Sequence, residues 1–138
     1  MRWLIDSDVL IEGERGNPDF NAWLATCEEV ATADIVRAEF LLGVHLVLDQ
    51  VKRGRGERFY SEKITRLASL PNETADYELA AKLAGEARRT GQGKPSLPDA
   101  LLAAIAIRTG ATVATRNLKD FQALGCDCKN PLANLPGQ

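Results

Sequence analysis

Short apolar segments that alternate with helix-length amphipathic stretches constrain this chain more than any other feature. Trp3-Leu4-Ile5, Ala31-Thr32-Ala33, Leu67 to Leu70 and Ala111 to Thr115 read as brief buried strands. Asn17 and Pro18 form the cap and first residue of a helix on which Phe20, Trp23 and Leu24 recur. Asp34 is the expected cap of a second helix running to about Leu48, with Ile35, Ala38, Leu41, Leu42 and His45 on its inner face. A third spans Thr74 to Arg89 with Tyr77, Ala80, Ala81 and Ala84 inward. A fourth follows Ser96 and Asp99, which have capping-box spacing; its interior is Leu101, Leu102, Ile105 and Ala106, and Gly110 ends it. Strands joined through helices cannot pair by tight turns, so the pattern implies an α/β domain with a central, mainly parallel sheet.

The length of 138 residues suits a single domain over 1–138 with a sizeable core. Seventeen basic against nineteen acidic residues exclude a generally basic coat, so any nucleic-acid contact must be local. Cys27, Cys126 and Cys128 are an odd set that argues against a disulfide framework, and one histidine with three cysteines is a poor basis for a closed zinc site. No segment approaches the roughly 20 apolar residues of a membrane span, and Asp6 and Asp8 interrupt an apolar leader. The expectation is a cytoplasmic protein. Between Lys52 and Arg66 six basic and two acidic residues leave a local charge of +4, with Gly54 and Gly56 expected to form a turn before the next helix.

Polar residues cluster where the strands end. Asp6 follows the first strand, Asn117 and Asp120 follow the last, Asp99 opens the helix before it, and Glu39 lies inside a helix among apolar neighbours. Ligands of open parallel sheets sit at the carboxyl ends of strands, so these residues can converge on one cleft. Converging carboxylates raise one another's pKa unless a cation compensates, and Mg²⁺ or Mn²⁺ is the cation that oxygen ligands favour. Such a centre suits hydrolysis of phosphodiesters.

The segments Leu4-Ile5-Asp6-Ser7-Asp8-Val9-Leu10-Ile11, Ala38-Glu39-Phe40-Leu41-Leu42-Gly43, Leu97-Pro98-Asp99-Ala100-Leu101-Leu102-Ala103-Ala104-Ile105-Ala106 and Val113-Ala114-Thr115-Arg116-Asn117-Leu118-Lys119-Asp120-Phe121 resemble, in order, the four motifs of PIN-domain ribonucleases of the VapC toxin type. The resemblance implies a three-layer α/β/α fold, a homodimer, a small VapB-like antitoxin that covers or enters the cleft, and an RNA substrate such as tRNA or ribosomal RNA. It makes Asp6, Glu39 and Asp99 metal-binding or water-activating acids. The fourth position carries Asn117 where many relatives have an acid, with Asp120 three residues later as the other claimant for a metal-binding role. Asp8 replaces a common asparagine, and Ser7 and Thr115 are candidate hydrogen-bond donors to the acids. Arg116 is placed to hold a phosphate at the cleft, and Lys52, Arg53, Arg55 and Arg58, with Lys63 and Arg66, to position RNA.

Each residue also has a plainer reading. Asp6 and Asp99 suit helix starts, Glu39 suits pairing with Arg37 or His45, and Asn117 and Asp120 suit a turn. The basic run suits a solvated helix face or an antitoxin contact. His45 suits a packed or dimer-interface position, Trp3 and Trp23 the core, and Cys126 and Cys128 structural positions. The functional alternatives are a non-catalytic nucleic-acid-binding regulator, or another metal-dependent phosphoesterase such as a DNA nuclease or phosphatase.

Overall fold

The structure, a computed structural model, describes residues 1–132; residues 133–138 of the expected domain lie outside the described residues. Five strands form one sheet: β1 (Arg2–Ile5), β2 (Glu29–Ala33), β3 (Ala68–Leu70), β4 (Thr112–Ala114) and β5 (Cys128–Lys129). Their spatial order is β3-β2-β1-β4-β5 and every neighbouring pair is parallel. Among the described residues seven α-helices flank the sheet: α1 (Ser7–Glu14), α2 (Pro18–Thr26), α3 (Asp34–Leu46), α4 (Gln50–Glu62), α5 (Thr74–Arg89), α6 (Leu97–Thr109) and α7 (Leu118–Ala123). The α/β fold with a parallel central sheet is therefore as the alternation of the sequence implies.

β1 is the middle strand, and its two partners differ in chain distance. On one side Leu4 faces Ala31 of β2; on the other Leu4 faces Val113 and Ile5 faces Ala114 of β4. This is the switch point at which parallel sheets open a crevice beyond their strand ends. The Asp6 N–H donates to the Ala114 carbonyl at 2.9 Å, so the register continues one residue past β1 and sets Asp6 beside Thr115.

α6 crosses the centre of the molecule. Residues 100–106 are buried without interruption, which needs a helix that is apolar all round and explains why alanine, the strongest helix former, alternates there with Leu and Ile. Ser96 caps it by accepting the Asp99 N–H at 3.2 Å, and Gly110 ends it at φ +70°. The far end of α6 is clamped: Arg108 donates to both oxygens of buried Asp76 at 2.9 and 3.0 Å and to the Pro71 carbonyl at 2.6 Å. The Arg108 guanidinium holds the Asp76 carboxyl below the usual range. Asp76 also accepts the Glu73 N–H at 2.8 Å, closing a capping box at the start of α5 that the sequence reading did not single out.

Several local expectations are corrected. α1 occupies residues that had been read only as a strand exit. The core face of α3 is Val36, Phe40 and Val44, while Ala38, Leu42 and His45 are exposed. Asp34 begins α3 without capping it and accepts the Ser69 hydroxyl at 2.9 Å, and the helix ends at Leu46. On α5, Tyr77 and Ala81 face outward and Asp76, Ala80, Ala84 and Ala87 face inward. Gly54 and Gly56 make no turn, because α4 runs through both. Gly56 is buried, and a Cβ there would meet Val44 Cγ2 at 2.7 Å; the glycine lets α4 lie against α3. Phe59 secures the same helix, with its ring 5.8 Å from Phe40 and 6.2 Å from Phe20. Trp3 and Trp23 stack edge to face at 5.4 Å and pack on the core.

The two glycines of α4 predict opposite effects on substitution. Val44 is short and stiff, so Gly56→Ala overpacks the helix contact and lowers stability in urea denaturation by about 1–3 kcal/mol. Gly54 has only the flexible Arg58 tip within reach, at 3.6 Å, so Gly54→Ala raises stability by up to about 1 kcal/mol through helix propensity. Equal effects at the two positions would refute this account of how α4 docks.

Candidate metal centre

Three elements deliver three carboxylates to the crevice at the end of β1. Asp6 is the first residue after β1 and the cap of α1, where its Oδ1 accepts the Ser7 N–H at 2.8 Å. Glu39 projects from the middle of α3, and Asp99 from the first turn of α6. One carboxylate oxygen from each of Asp6, Glu39 and Asp99 lies within 4.8 Å of the others. No lysine or arginine forms an ion pair with any of the three among the described residues.

The electrostatics follow from that crowding. Burial raises Asp6 from 3.8 to about 7, and the charges of Asp8 and Asp99 push the same way against the hydrogen bonds from Thr115 and Ser7. Burial also raises Glu39, reinforced by Asp99 and Asp8. Asp99 is raised by burial first, with Asp120 and Asp8 adding to it. Desolvation raises Asp8 as well, although the Arg116 N–H bond offsets part of the effect. Five acids thus act on one small volume.

The surrounding residues hold this cluster in place. The Thr115 hydroxyl donates to Asp6 Oδ2 at 2.9 Å and accepts the Asn117 N–H at 3.0 Å. Ser7 serves Asp6 through its main-chain N–H. Asp8 Oδ2 accepts the Arg116 N–H at 3.0 Å, whereas Asp8 Oδ1 is buried without a hydrogen-bond partner among the described residues. Asn117 and Asp120 do not join the three-acid group; the Asn117 side-chain amide donates to Asp120 Oδ2 at 2.9 Å, and Asp120 reaches Asp99 through its charge. An all-oxygen donor set, mutual repulsion and an orphaned buried oxygen fit a hard divalent cation.

The predicted cations are distributed less simply. The Arg116 guanidinium is paired with Glu12 rather than free in the crevice. Glu12 is one helical turn from Asp8 on α1, a placement that the apolar pattern of the sequence does not reveal because α1 starts on acidic residues. Lys52 and Arg55 line a cleft of about 410 Å³ together with Glu39 and Arg15, over a floor that includes Ile11, Phe40 and Val44. Arg53 instead donates to the Val47 carbonyl at 2.8 Å and pairs with Glu57 at 3.9 Å, while Arg58 is exposed on α4. Lys63 and Arg66 fall beyond α4 in and beside a 3₁₀ turn at Ile64–Arg66. Cys126 donates to the Phe121 carbonyl at 3.6 Å and burial pushes its thiol up to about 12, as suits packing rather than metal binding.

The PIN domain family model matches residues 3–125, and the chain belongs to that family. No match is found among curated proteins. Among solved structures the chain is similar to FitAcB from Neisseria gonorrhoeae, at 29% identity and TM-score 0.80 over 94% of this chain and 97% of that one. It has the fold of VapBC2 from Rickettsia felis bound to a DNA fragment from its promoter, at 22% identity and TM-score 0.77 over 94% and 98% of the two chains. It also has the fold of VapBC-5 from Mycobacterium tuberculosis, a member of the VapBC family of toxin-antitoxin systems, at 22% identity and TM-score 0.72 over 93% and 95%. PIN domains are nucleases. Among the described residues no helix is long and apolar enough to cross a membrane.

Crowded acids make metal-free folding pH-dependent with a definite sign. An aspartate that titrates at about 4 when unfolded and at about 7 at Asp6 in the fold binds more protons in the native state. Its contribution is then fully retained below the lower value and is lost as pH rises towards the higher one. In EDTA, Asp6→Asn is expected to gain stability over the parent progressively from about pH 4 to pH 7, and millimolar Mg²⁺ to restore the parent selectively. Urea denaturation at stepped pH reads both; an advantage that shrinks with rising pH would contradict the electrostatic account.

Proposed function

We propose that this chain is a metal-dependent endoribonuclease that hydrolyses RNA phosphodiester bonds, the VapC-type toxin of a pair neutralised by a small VapB-like antitoxin. The carrying observation is the trio Asp6, Glu39 and Asp99, three carboxylates from separate elements with oxygens within 4.8 Å of one another and no ion-paired cation among the described residues. In this reading the three acids hold Mg²⁺ or Mn²⁺, Asp120 adds negative charge from the next turn, and Asn117 fixes Asp120. Bound there, such an ion supplies a more acidic water and charge compensation at a phosphodiester.

The chain's own residues prepare the site. Asp6 is kept in one orientation by the Ser7 N–H and the Thr115 hydroxyl. A carboxylate at the crevice can take a proton from the attacking water, so no histidine is needed. Asp8 braces the β4 exit through the Arg116 N–H. Lys52 and Arg55 attract the RNA backbone to the side of the crevice where Glu39 stands. The apolar floor of that cleft offers a seat for an antitoxin segment, in a homodimeric, cytoplasmic toxin. A second reading, a DNA-associated regulatory subunit, draws on VapBC2, which is solved with promoter DNA.

The test is cleavage of total RNA, single-stranded DNA and a phosphomonoester by antitoxin-free protein with Mg²⁺, Mn²⁺ or EDTA, with RNA ends sequenced. New RNA ends that need metal are expected, together with losses on the order of 100-fold or more for Asp99→Asn and Glu39→Gln and a smaller loss for Asp120→Asn. Folded, metal-loaded protein that leaves RNA intact would end the ribonuclease reading, and cutting of DNA alone would replace it.

A further inference from the structure

An acidic centre attracts cations and repels the phosphates on either side of the bond to be cut, so cationic groups must flank it. One flank is the Lys52 and Arg55 cleft beside Glu39. The other flank, on the side of Asp120, is not filled by the residue expected there, because Arg116 is held by Glu12.

The turn between α5 and α6 stands in that place. Gly91 and Gly93 adopt φ +74° and +99°, left-handed values that glycine takes without strain. A Cβ at Gly93 would sit 3.3 Å from Asp120 Oδ1, so the turn's main chain lies directly against the acid whose charge reaches Asp99. Arg88, Gly91, Gly93 and Lys94 line a cleft of about 490 Å³. Arg88 donates to the Pro95 carbonyl at 2.9 Å, which fixes its guanidinium without neutralising it. Neither Arg88 nor Lys94 has an acidic partner among the described residues. Two cations without an acidic partner among the described residues therefore share one concavity, whose Gly93 abuts Asp120, and Lys94 is five residues before Asp99.

We propose that Arg88, Lys94 and the Gly91–Gly93 turn bind a phosphate of the RNA strand, a subsite on the Asp120 side of the acidic centre. This rests on the ribonuclease reading. Arg88 supplies a planar, oriented donor and Lys94 a mobile point charge, a pairing suited to a phosphodiester oxygen. The glycines let the strand approach the main chain without side-chain obstruction. Specificity for base identity lies elsewhere, because phosphate contacts carry no sequence information.

The test uses full-length Asp99→Asn protein in Mg²⁺ and a fluorescein-labelled, mixed-sequence single-stranded RNA oligomer, with anisotropy read across a salt series. Adding K94Q is expected to weaken binding several-fold and to lower the slope of log K against log salt by about 0.7, the value of one single-strand phosphate. K82Q, which removes an exposed charge from α5, is expected to leave both unchanged. R88Q gives the same loss as K94Q if the two share a ligand, with circular dichroism confirming that the turn's helices persist. A parallel titration of ¹⁵N-labelled protein with inorganic phosphate is expected to shift the Gly91, Gly93 and Lys94 amides. RNA binding that K94Q and K82Q affect equally would overturn the subsite and leave the ribonuclease reading standing. Phosphate shifts at the turn without RNA binding would support the anion site and overturn the RNA assignment, and the absence of both would overturn both.

Discussion

Burial of the Asp6 carboxylate is the constraint on which the rest of the site depends. The residue does three jobs at once: it ends the central strand, caps α1, and presents an acid to the crevice. A charged carboxylate at a buried position is costly without compensation. The Ser7 N–H and Thr115 hydroxyl offset part of that cost; the first is local to the start of α1, and the second is in reach only because β1 and β4 run parallel in the observed register. A slip by one residue would turn Asp6 to another face and remove Thr115 from reach. The catalytic reading and the sheet register are therefore one geometric fact.

The remaining acids add repulsion that the scaffold must absorb. Glu39 and Asp99 arrive on α3 and α6, helices held by a continuous apolar core, and α6 is additionally anchored at its opposite end by Arg108 and Asp76. That ion pair is far along the helix from Asp99 and shows the contrasting use of charge: there a buried acid is matched by arginine and its pKa falls. At the crevice the acids are left unmatched and their pKa values rise. The same fold thus neutralises Asp76 internally and leaves the three acids at the crevice without a paired cation among the described residues.

Charge of the other sign is arranged around this centre with comparable economy. Glu12 takes Arg116 out of the crevice, so the cation nearest in sequence to the last motif is not the free one. Lys52 and Arg55 of α4 line one cleft, and Arg88 at the end of α5 and Lys94 in the turn before α6 line another. Both flanks depend on glycine, but for different reasons. Gly56 lets α4 settle against Val44, whereas Gly93 allows the turn to press against Asp120.

The order of strands and helices, the parallel sheet and the three acids Asp6, Glu39 and Asp99 were legible from the sequence because each is written locally. Apolar runs mark strands, capping residues mark helix starts, and four ordered motifs place acids at their junctions. The acidic start of Ser7–Glu14 masks a helix, and Gly56 reads as a turn residue because the Val44 side chain that demands a glycine there belongs to another helix. Which carboxylate oxygens meet, which arginine is occupied and which turn lies against Asp120 were decided only by the tertiary structure. Coulomb interactions and hydrogen bonds depend on distances of a few ångströms, and those distances are set by packing between segments that the sequence keeps up to 109 residues apart, as Asp6 and Thr115 are.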